Sequence, residues 1–227
     1  MVGPFNGTGS RHVPGRRAID TIARIDEAIL LALRSAEDPA DPIGPPWLEI
    51  LLDDATALGS YAVLGLLVLL ALGYLAVVRR PRSAILVAIS FGGAVLLASL
   101  LKGGFDRPRP DLVAHLVQTR TASFPSSHAM LSAVVFLTLG TLLAAAHRGR
   151  APKAYFVGAA VLLTGLVGFS RVYLGVHWPS DVVGGWVIGA VWAAACRWAI
   201  GRMRAVPRRP GNGGPARDRL TLRNRSG

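Results

Sequence analysis

The stretch GSYAVLGLLVLLALGYLAVV, residues 59–78, decides the fold class because it contains no charged residue. A helix of about 20 apolar residues is long enough to cross a bilayer. Four further apolar runs follow, at 83–101, 129–146, 154–170 and 182–196. Hydrophobic residues make up 52% of the chain and charged residues only 17%, too few polar side chains to cover five such helices in a soluble protein. The sequence therefore predicts an all-α fold: an integral membrane helical bundle with about five to six transmembrane helices.

Two amphipathic segments precede the first apolar run. Within 18–34, isoleucines recur at helical spacing among acidic and basic residues, so this helix is too charged to span and is expected to lie in the membrane interface. The stretch WLEILLDDATALGS, 47–60, predicts a second short amphipathic helix. We therefore divide the chain into three parts: a flexible N-terminus with interfacial helices (1–58), a membrane-embedded domain (59–200) and a basic, disordered tail (201–227).

The distribution of positive charge predicts the orientation in the membrane. The net charge is +12, and the tail carries eight arginines against the single acidic residue Asp218. We interpret this tail as held at the anionic cytoplasmic leaflet, and not as a nucleic-acid-binding segment. The basic loops RRPR (79–82) and HRGRAPK (147–153) share a side with the tail if each apolar run crosses once. The positive-inside rule makes that side cytoplasmic, in the cell or inner membrane. The loops 102–128 and 171–181 then lie on the non-cytoplasmic face.

These two outer loops contain residues suited to binding a polyanion. Lys102, Arg109 and Arg171 are cations near the ends of apolar runs. Ser126 and Ser127 precede the run at 129–146, where they can cap a helix whose free backbone N–H groups favour an anion. Three cations and helix N-termini on one face predict a phosphate pocket.

Two histidines near this pocket have the properties needed for displacement at phosphorus. One imidazole can attack the phosphorus atom while the other protonates the departing oxygen. Asp181 follows His177 by four residues, so its carboxylate can accept a hydrogen bond from the ring and fix its tautomer. His128 lies in the first turn of the run that follows the serines. The loop 170–181 can therefore carry a nucleophile, its orienting carboxylate and a phosphate-binding arginine.

Three stretches of the sequence resemble, in their order along the chain, the three signatures of the type 2 phosphatidic acid phosphatase and vanadium haloperoxidase superfamily. The apolar runs around them resemble its membrane lipid phosphatase branch. The three stretches are KGGFDRPRP (102–110), PSSH (125–128) and SRVYLGVHWPSD (170–181). The first matches lysine, six residues, arginine and proline, and the third matches serine-arginine, five residues, histidine, three residues and aspartate. The second departs from the family, which usually has glycine where this chain has Ser127.

The resemblance implies a role for each of these residues. Phosphate oxygens would be held by five residues: Lys102, Arg109, Ser126, the amide of Ser127, and Arg171. His177 would form a phosphohistidine, Asp181 would orient it, and His128 would protonate the leaving alkoxide and then activate water. The family phosphatases use neither a metal nor another cofactor, and the expected partners are a lipid phosphate substrate and membrane lipids.

Several alternatives stay open at this stage. A lipid phosphotransferase would use the same site with a different acceptor, a haloperoxidase would bind vanadate there, and a non-enzymatic bundle would leave both histidines without a purpose. Phosphatidic acid, phosphatidylglycerol phosphate and polyprenyl diphosphate all present a terminal phosphate group to the site, so the sequence does not distinguish them as substrates. Arg107 is a candidate to hold a second phosphate. The sequence does not indicate an oligomeric state.

Overall fold

The computed structural model of the protein describes residues 14–117 and 121–202, which form seven helices and no strand. Two short or amphipathic helices come first: α1 (Pro14–Ala32) and α2 (Pro46–Ala57). Five longer apolar helices follow: α3 (Tyr61–Val77), α4 (Pro81–Phe105), α5 (Ser127–Ala146), α6 (Arg150–Tyr173) and α7 (Pro179–Arg202). The all-α fold is as predicted. Residues 1–13 and the tail from 203, predicted to be flexible, lie outside the described residues.

The predicted spans correspond to these five helices. Helices α4 to α7 are each long and apolar enough to cross a membrane. Helix α3 passes the same test together with α2, from which it is bent by 50°. The described part of the chain therefore has four candidate spans, or five with the bent pair. The run at 182–196 is the shortest in the sequence, but α7 continues through Arg202 because Arg197 does not interrupt the helix.

Helix α5 is the centre of the bundle. It packs against α3, α4, α6 and α7, and more than half of its residues are buried. Its side chains Met130, Leu131 and Val134 are fully buried together with Leu64 of α3 and Val167 of α6. Because every other span contacts α5, the position of its N-terminus fixes the position of the residues around it.

Two glycines bring α7 unusually close to α5. A Cβ atom at Gly185 would lie 2.9 Å from the carbonyl oxygen of Ser126, and one at Gly189 would lie 2.5 Å from that of Met130. The two glycines are four residues apart and so lie on one face of α7. Small residues at this spacing let two helix backbones approach each other. The N-termini of α5 and α7 consequently meet, and the amide of Ser126 donates to the carbonyl oxygen of Asp181 at 3.2 Å.

Helices α1 and α2 cover one end of the bundle. We call it the site end: it is formed by the C-termini of α4 and α6, the N-termini of α5 and α7, and the loops between them. Leu30 of α1 is buried in a second apolar cluster with Val172 and Val182. In contrast, Ile22, Ile25 and Ile29 are exposed on α1. These isoleucines therefore lie outside the packed core, and α1 packs against the bundle through only part of its surface.

Candidate active site

The structure brings the three sequence motifs together at the site end. Lys102 lies in the last turn of α4 and Arg109 follows in the loop. Ser126 is the N-cap residue of α5, and His128 lies in the first turn of that helix. His177 lies in the short loop between α6 and α7. The motifs are distant in sequence, and they meet because antiparallel neighbouring spans return the chain to the same end of the bundle.

His177 is almost completely buried, with 2% of its surface exposed. Its Nε2 atom lies 3.3 Å from Nη1 of Arg109. A guanidinium group only donates hydrogen bonds, so this contact is a hydrogen bond in the tautomer whose Nε2 carries no proton. The proton of the neutral ring is then on Nδ1, which faces Oγ of Ser123 at 3.4 Å and Oδ2 of Asp181 at 3.7 Å. In this tautomer the Nε2 lone pair of His177 points towards Arg109.

Burial lowers the pKa of His177 to about 4, although the neighbouring Asp181 carboxylate raises it. The positive charges of Arg109 and Arg171 lower this pKa further. The imidazole is consequently neutral near pH 7, which is the form that a nitrogen nucleophile requires. Burial also lowers the pKa of Arg109, but an arginine stays protonated in proteins.

Asp181 is fully buried, and donors surround its carboxylate. Oδ2 accepts hydrogen bonds from Ser123 Oγ and from the backbone N–H of Trp178, the latter at 3.1 Å. Oδ1 accepts from Nη1 of Arg107 at 2.6 Å. The distance of 3.7 Å to His177 Nδ1 is too long for a hydrogen bond but suits an ion pair once the ring is charged. Asp181 is therefore held in position to stabilise positive charge on His177.

The three predicted phosphate-binding cations lie close enough to interact electrostatically, and we call them the cationic cluster: Lys102, Arg109 and Arg171. Lys102 Nζ donates to the carbonyl oxygen of Ala122 at 2.7 Å. Arg109 donates to the carbonyl oxygens of Thr121, at 2.8 Å, and Val176, at 2.5 Å. Lys102 and Arg109 are thus bound to the loop that leads into α5 and His128, and Arg109 is also bound to the loop that carries His177.

Arg171 is 5% exposed, although it lies in the last turn of an apolar helix. Its Nη1 donates to Oγ1 of Thr56, at the end of α2, at 3.0 Å, while its Nε is buried without a hydrogen-bond partner. A buried donor without a partner is costly unless a ligand or water satisfies it. Arg171 therefore retains the capacity to bind a phosphate oxygen.

The side chains of the two serines at the start of α5 do not form the capping hydrogen bonds that the sequence predicts. Neither Ser126 nor Ser127 forms a side-chain hydrogen bond, and both hydroxyl groups are buried. The backbone of Ser126 is engaged separately: its amide donates to the carbonyl oxygen of Asp181, and its carbonyl oxygen accepts from the amide of Met130. The hydroxyls and the first N–H groups of α5 are thus available to a ligand, which is the arrangement that favours an anion at a helix N-terminus.

His128 is half-buried in the first turn of α5, near the cationic cluster. It interacts electrostatically with Arg171, His177 and Lys102. A Cβ atom added to Gly59, at the corner between α2 and α3, would lie 3.2 Å from its ring. The two histidines therefore occupy the same end of the bundle, around one group of positive charges.

Some residues around the site have no signal in the sequence. Ser123 lies two residues before the PSSH motif and contacts both His177 and Asp181, but a single serine in a loop does not indicate such a role. Thr56 belongs to a segment interpreted as an amphipathic helix only. Arg107, the candidate to hold a second phosphate, forms ion pairs with Asp26 and Asp181, at 2.9 and 2.6 Å, which the sequence did not predict.

This fold, with a cationic cluster and two histidines at one end of a helical bundle, defines the class of protein. The chain belongs to the PAP2 superfamily, whose sequence model matches residues 83–204. It is 36% identical to phosphatidylglycerophosphatase B of Bacillus subtilis over 150 residues, 65% of this chain and 72% of that protein. It is 34% identical to decaprenylphosphoryl-5-phosphoribose phosphatase of Mycobacterium tuberculosis over 149 residues, 64% of this chain and 77% of that protein.

A solved structure has the same fold. The transmembrane PAP2 type phosphatidylglycerolphosphate phosphatase from Bacillus subtilis superposes with a TM-score of 0.69 and 27% sequence identity, over 84% of this chain and 90% of that one. The predicted family and enzyme class are confirmed, and the chain is an integral membrane phosphatase of this superfamily.

Proposed function

We propose that the protein hydrolyses a lipid phosphate or diphosphate through a phosphohistidine on His177. The observation that carries this proposal is the position of His177 Nε2. In the tautomer that accepts from Arg109 this atom carries no proton, and it is buried, 3.3 Å from Arg109 Nη1 and within the electrostatic reach of Arg171. An anion attracted by the cationic cluster places its phosphorus atom beside a lone pair.

In the first step, the Nε2 lone pair of His177 attacks phosphorus and the bond to the lipid oxygen breaks. The imidazole becomes positively charged, and the buried carboxylate of Asp181 stabilises that charge. Lys102, Arg109 and Arg171 bind the phosphate oxygens, together with Ser126 and the N-terminal amide of Ser127. The negative charge of the phosphate offsets these cations and favours a protonated His128, which gives its proton to the leaving alkoxide.

In the second step, a water molecule attacks the phosphorus of phosphohistidine. His128, now neutral, accepts a proton from that water, and the phosphorus–nitrogen bond breaks with its electron pair returning to Nε2. The product is inorganic phosphate, and both histidines return to the protonation states in which they started. All of the charge stabilisation comes from side chains and backbone N–H groups, so we expect the reaction to need no metal and no other cofactor.

The surface next to the site supports a lipid substrate. Phe105, Phe169 and Val183 lie on the helices that carry the site, and each is 45% or more exposed. In a bilayer these side chains face acyl chains, so a phosphate ester held by the cationic cluster keeps its organic part in lipid. The two curated relatives are named for the phosphates of phosphatidylglycerol and of a decaprenyl derivative. Phosphatidylglycerol phosphate and polyprenyl phosphates or diphosphates are thus the first substrates to test, with phosphatidic acid.

We also propose an orientation. The short basic loops 78–80 and 147–149 lie at the end of the bundle opposite the site end, together with the C-terminus of α7. The positive-inside rule places these loops in the cytoplasm and the site on the non-cytoplasmic face of the cell or inner membrane. In this arrangement α1 and α2 lie on the same face as the site.

Phosphate release by the purified protein in detergent tests the proposal. A panel of phosphatidylglycerol phosphate, phosphatidic acid and polyprenyl diphosphate is compared between wild type and His177→Ala. We expect release from at least one lipid in the presence of EDTA, and loss of at least a thousandfold in kcat for the variant. Full activity in His177→Ala, or a requirement for a divalent cation, would contradict the mechanism. Analysis of the lipid products with added acceptor lipids distinguishes a hydrolase from a phosphotransferase.

A further inference from the structure

The acidic residue Asp26 is buried on a helix that is otherwise largely exposed. Only 2% of its surface is accessible, whereas Ile22, Ile25 and Ile29 of the same helix are each more than 40% exposed. Burying a carboxylate costs several kcal/mol unless charged or polar partners compensate it. Its burial in α1, outside the region that defines the superfamily, therefore requires specific partners.

Asp26 binds the start of α7 and the loop after α4. Oδ1 accepts a hydrogen bond from the backbone N–H of Ser180 at 2.8 Å, and Oδ2 accepts one from Ser180 Oγ at 2.5 Å. Oδ2 also pairs with Nη2 of Arg107 at 2.9 Å. Ser180 immediately precedes Asp181, and its amide is one of the N-terminal donors of α7 that have no partner within the helix. Asp26 thus caps α7 from another helix.

Arg107 connects Asp26 to the site. Its other terminal nitrogen, Nη1, binds Oδ1 of Asp181 at 2.6 Å and Oγ of Ser180 at 2.7 Å. The guanidinium group also lies 5.7 Å from the ring centre of Trp178, whose amide donates to Asp181. One guanidinium group is therefore shared between two carboxylates, of which only Asp181 faces His177.

We propose that Asp26 is a positioning residue for the phosphatase reaction, acting on Asp181 through Arg107 and Ser180. This inference rests on the proposed role of His177. Without the negative charge of Asp26, the positive charge of Arg107 acts on Asp181 alone and weakens its field at His177. The imidazole is already surrounded by Arg109, Arg171 and His128, so it depends on Asp181 for compensation of the charge that develops during attack.

The test compares Asp26→Asn with Glu27→Gln in the full-length protein in detergent. Glu27 is the next residue of the same helix and is exposed, so its variant is a matched control that should behave as wild type. For Asp26→Asn we expect kcat to fall about tenfold, as for residues coupled in one hydrogen-bond network. KM and the inhibition constant of inorganic phosphate should stay within about twofold, because Asp26 does not touch the cationic cluster. The acid limb of the pH–rate profile should move to lower pH, since His177 loses part of its compensation.

Several outcomes would overturn the proposal. A folded Asp26→Asn protein with the kcat of Glu27→Gln excludes an effect of Asp26 on catalysis. A parallel loss of kcat and phosphate affinity indicates that Asp26 holds the whole site together, which is a structural role. In a double-mutant cycle with Arg107→Gln, the combined loss should be clearly smaller than the product of the single losses. Losses that multiply would show that Asp26 acts independently of Arg107.

A second variant keeps the test decisive if Asp26→Asn does not fold. Ser180→Ala retains both charges but removes the hydroxyl group between Asp26 and Arg107. We expect a loss of a few-fold in kcat with unchanged phosphate inhibition, and a wild-type kcat would overturn the proposal. Failure of the proposed function is recognised separately, because it appears as activity in His177→Ala whatever the result at Asp26.

Discussion

The substitution Asp181→Asn tests how much of the catalysis depends on one buried charge. It keeps the size of the side chain and removes the negative charge that lies 3.7 Å from His177 Nδ1. If His177 is the nucleophile, its ring becomes positive during attack, and the lost stabilisation enters directly into the barrier.

The magnitude follows from the distance and the burial. Two unit charges this far apart attract each other by about 4 kcal/mol at the effective dielectric constant of about 20 that suits protein sites. Asp181 is 0% exposed, so solvent does not reduce this value much. The ring is only partly charged in the transition state, and each 1.36 kcal/mol is a factor of about ten in rate. We expect kcat to fall between about a hundredfold and a thousandfold.

The assay is steady-state phosphate release with the best lipid of the panel, together with inhibition by inorganic phosphate. The inhibition constant should change little, because Asp181 binds Ser123, Trp178 and Arg107 and not the cationic cluster. Asp111→Asn is the matched control, since Asp111 is an exposed carboxylate of the loop after α4. If folded Asp181→Asn protein keeps more than a third of the wild-type kcat, the role assigned to Asp181 is wrong.

Two further predictions concern stability. Burial lowers the pKa of His177 to about 4 from an ordinary value of about 6.5, so between these pH values the unfolded chain binds the extra proton. The free energy of unfolding of the wild type should therefore fall as the pH falls from about 6.5 to 4. The melting temperature of His177→Gln should fall less steeply with pH than that of the wild type over this window. Equal slopes for the two proteins would contradict the lowered pKa of His177. The substitution Gly189→Ala places a Cβ atom 2.5 Å from the carbonyl oxygen of Met130 and should destabilise the protein by about 1–3 kcal/mol, measured as a lower melting temperature. Gly165→Ala on α6 is its control, because nothing lies within 4 Å of the added atom, and equal melting temperatures for the two variants would refute the close approach of α5 and α7.

The spans and the family were predictable because their signals are local. Charge-free runs of span length determine α4 to α7, and the family signatures are spacings within single segments. The helices extend beyond the charge-free runs, as α4 does at Lys102. A charged residue at the end of a span can stay helical when its charged group reaches polar atoms, as Lys102 Nζ reaches the carbonyl oxygen of Ala122.

The contacts that complete the site were not predictable for a physical reason. They join segments far apart in sequence, as Thr56 joins Arg171 and Asp26 joins Ser180. Nothing in a threonine or an aspartate on an amphipathic helix indicates which distant group it will meet. The ion pairs of Arg107 could not be predicted for the same reason, since a cation in this loop binds phosphate or a carboxylate depending on which groups the fold brings to it.

The contacts of Asp26 and Thr56 determine how far the protein can be truncated from its N-terminal side. The region that matches the superfamily begins at residue 83, yet two of its arginines, Arg107 and Arg171, take partners from before residue 58. A fragment that contains only the matching region would lack Asp26, which pairs with Arg107, and Thr56, which accepts a hydrogen bond from Arg171. Both arginines would lose a partner close to His177. Shortened versions for crystallography, or chimaeras that exchange the leading segment between relatives, should therefore keep the first two helices with the spans they contact.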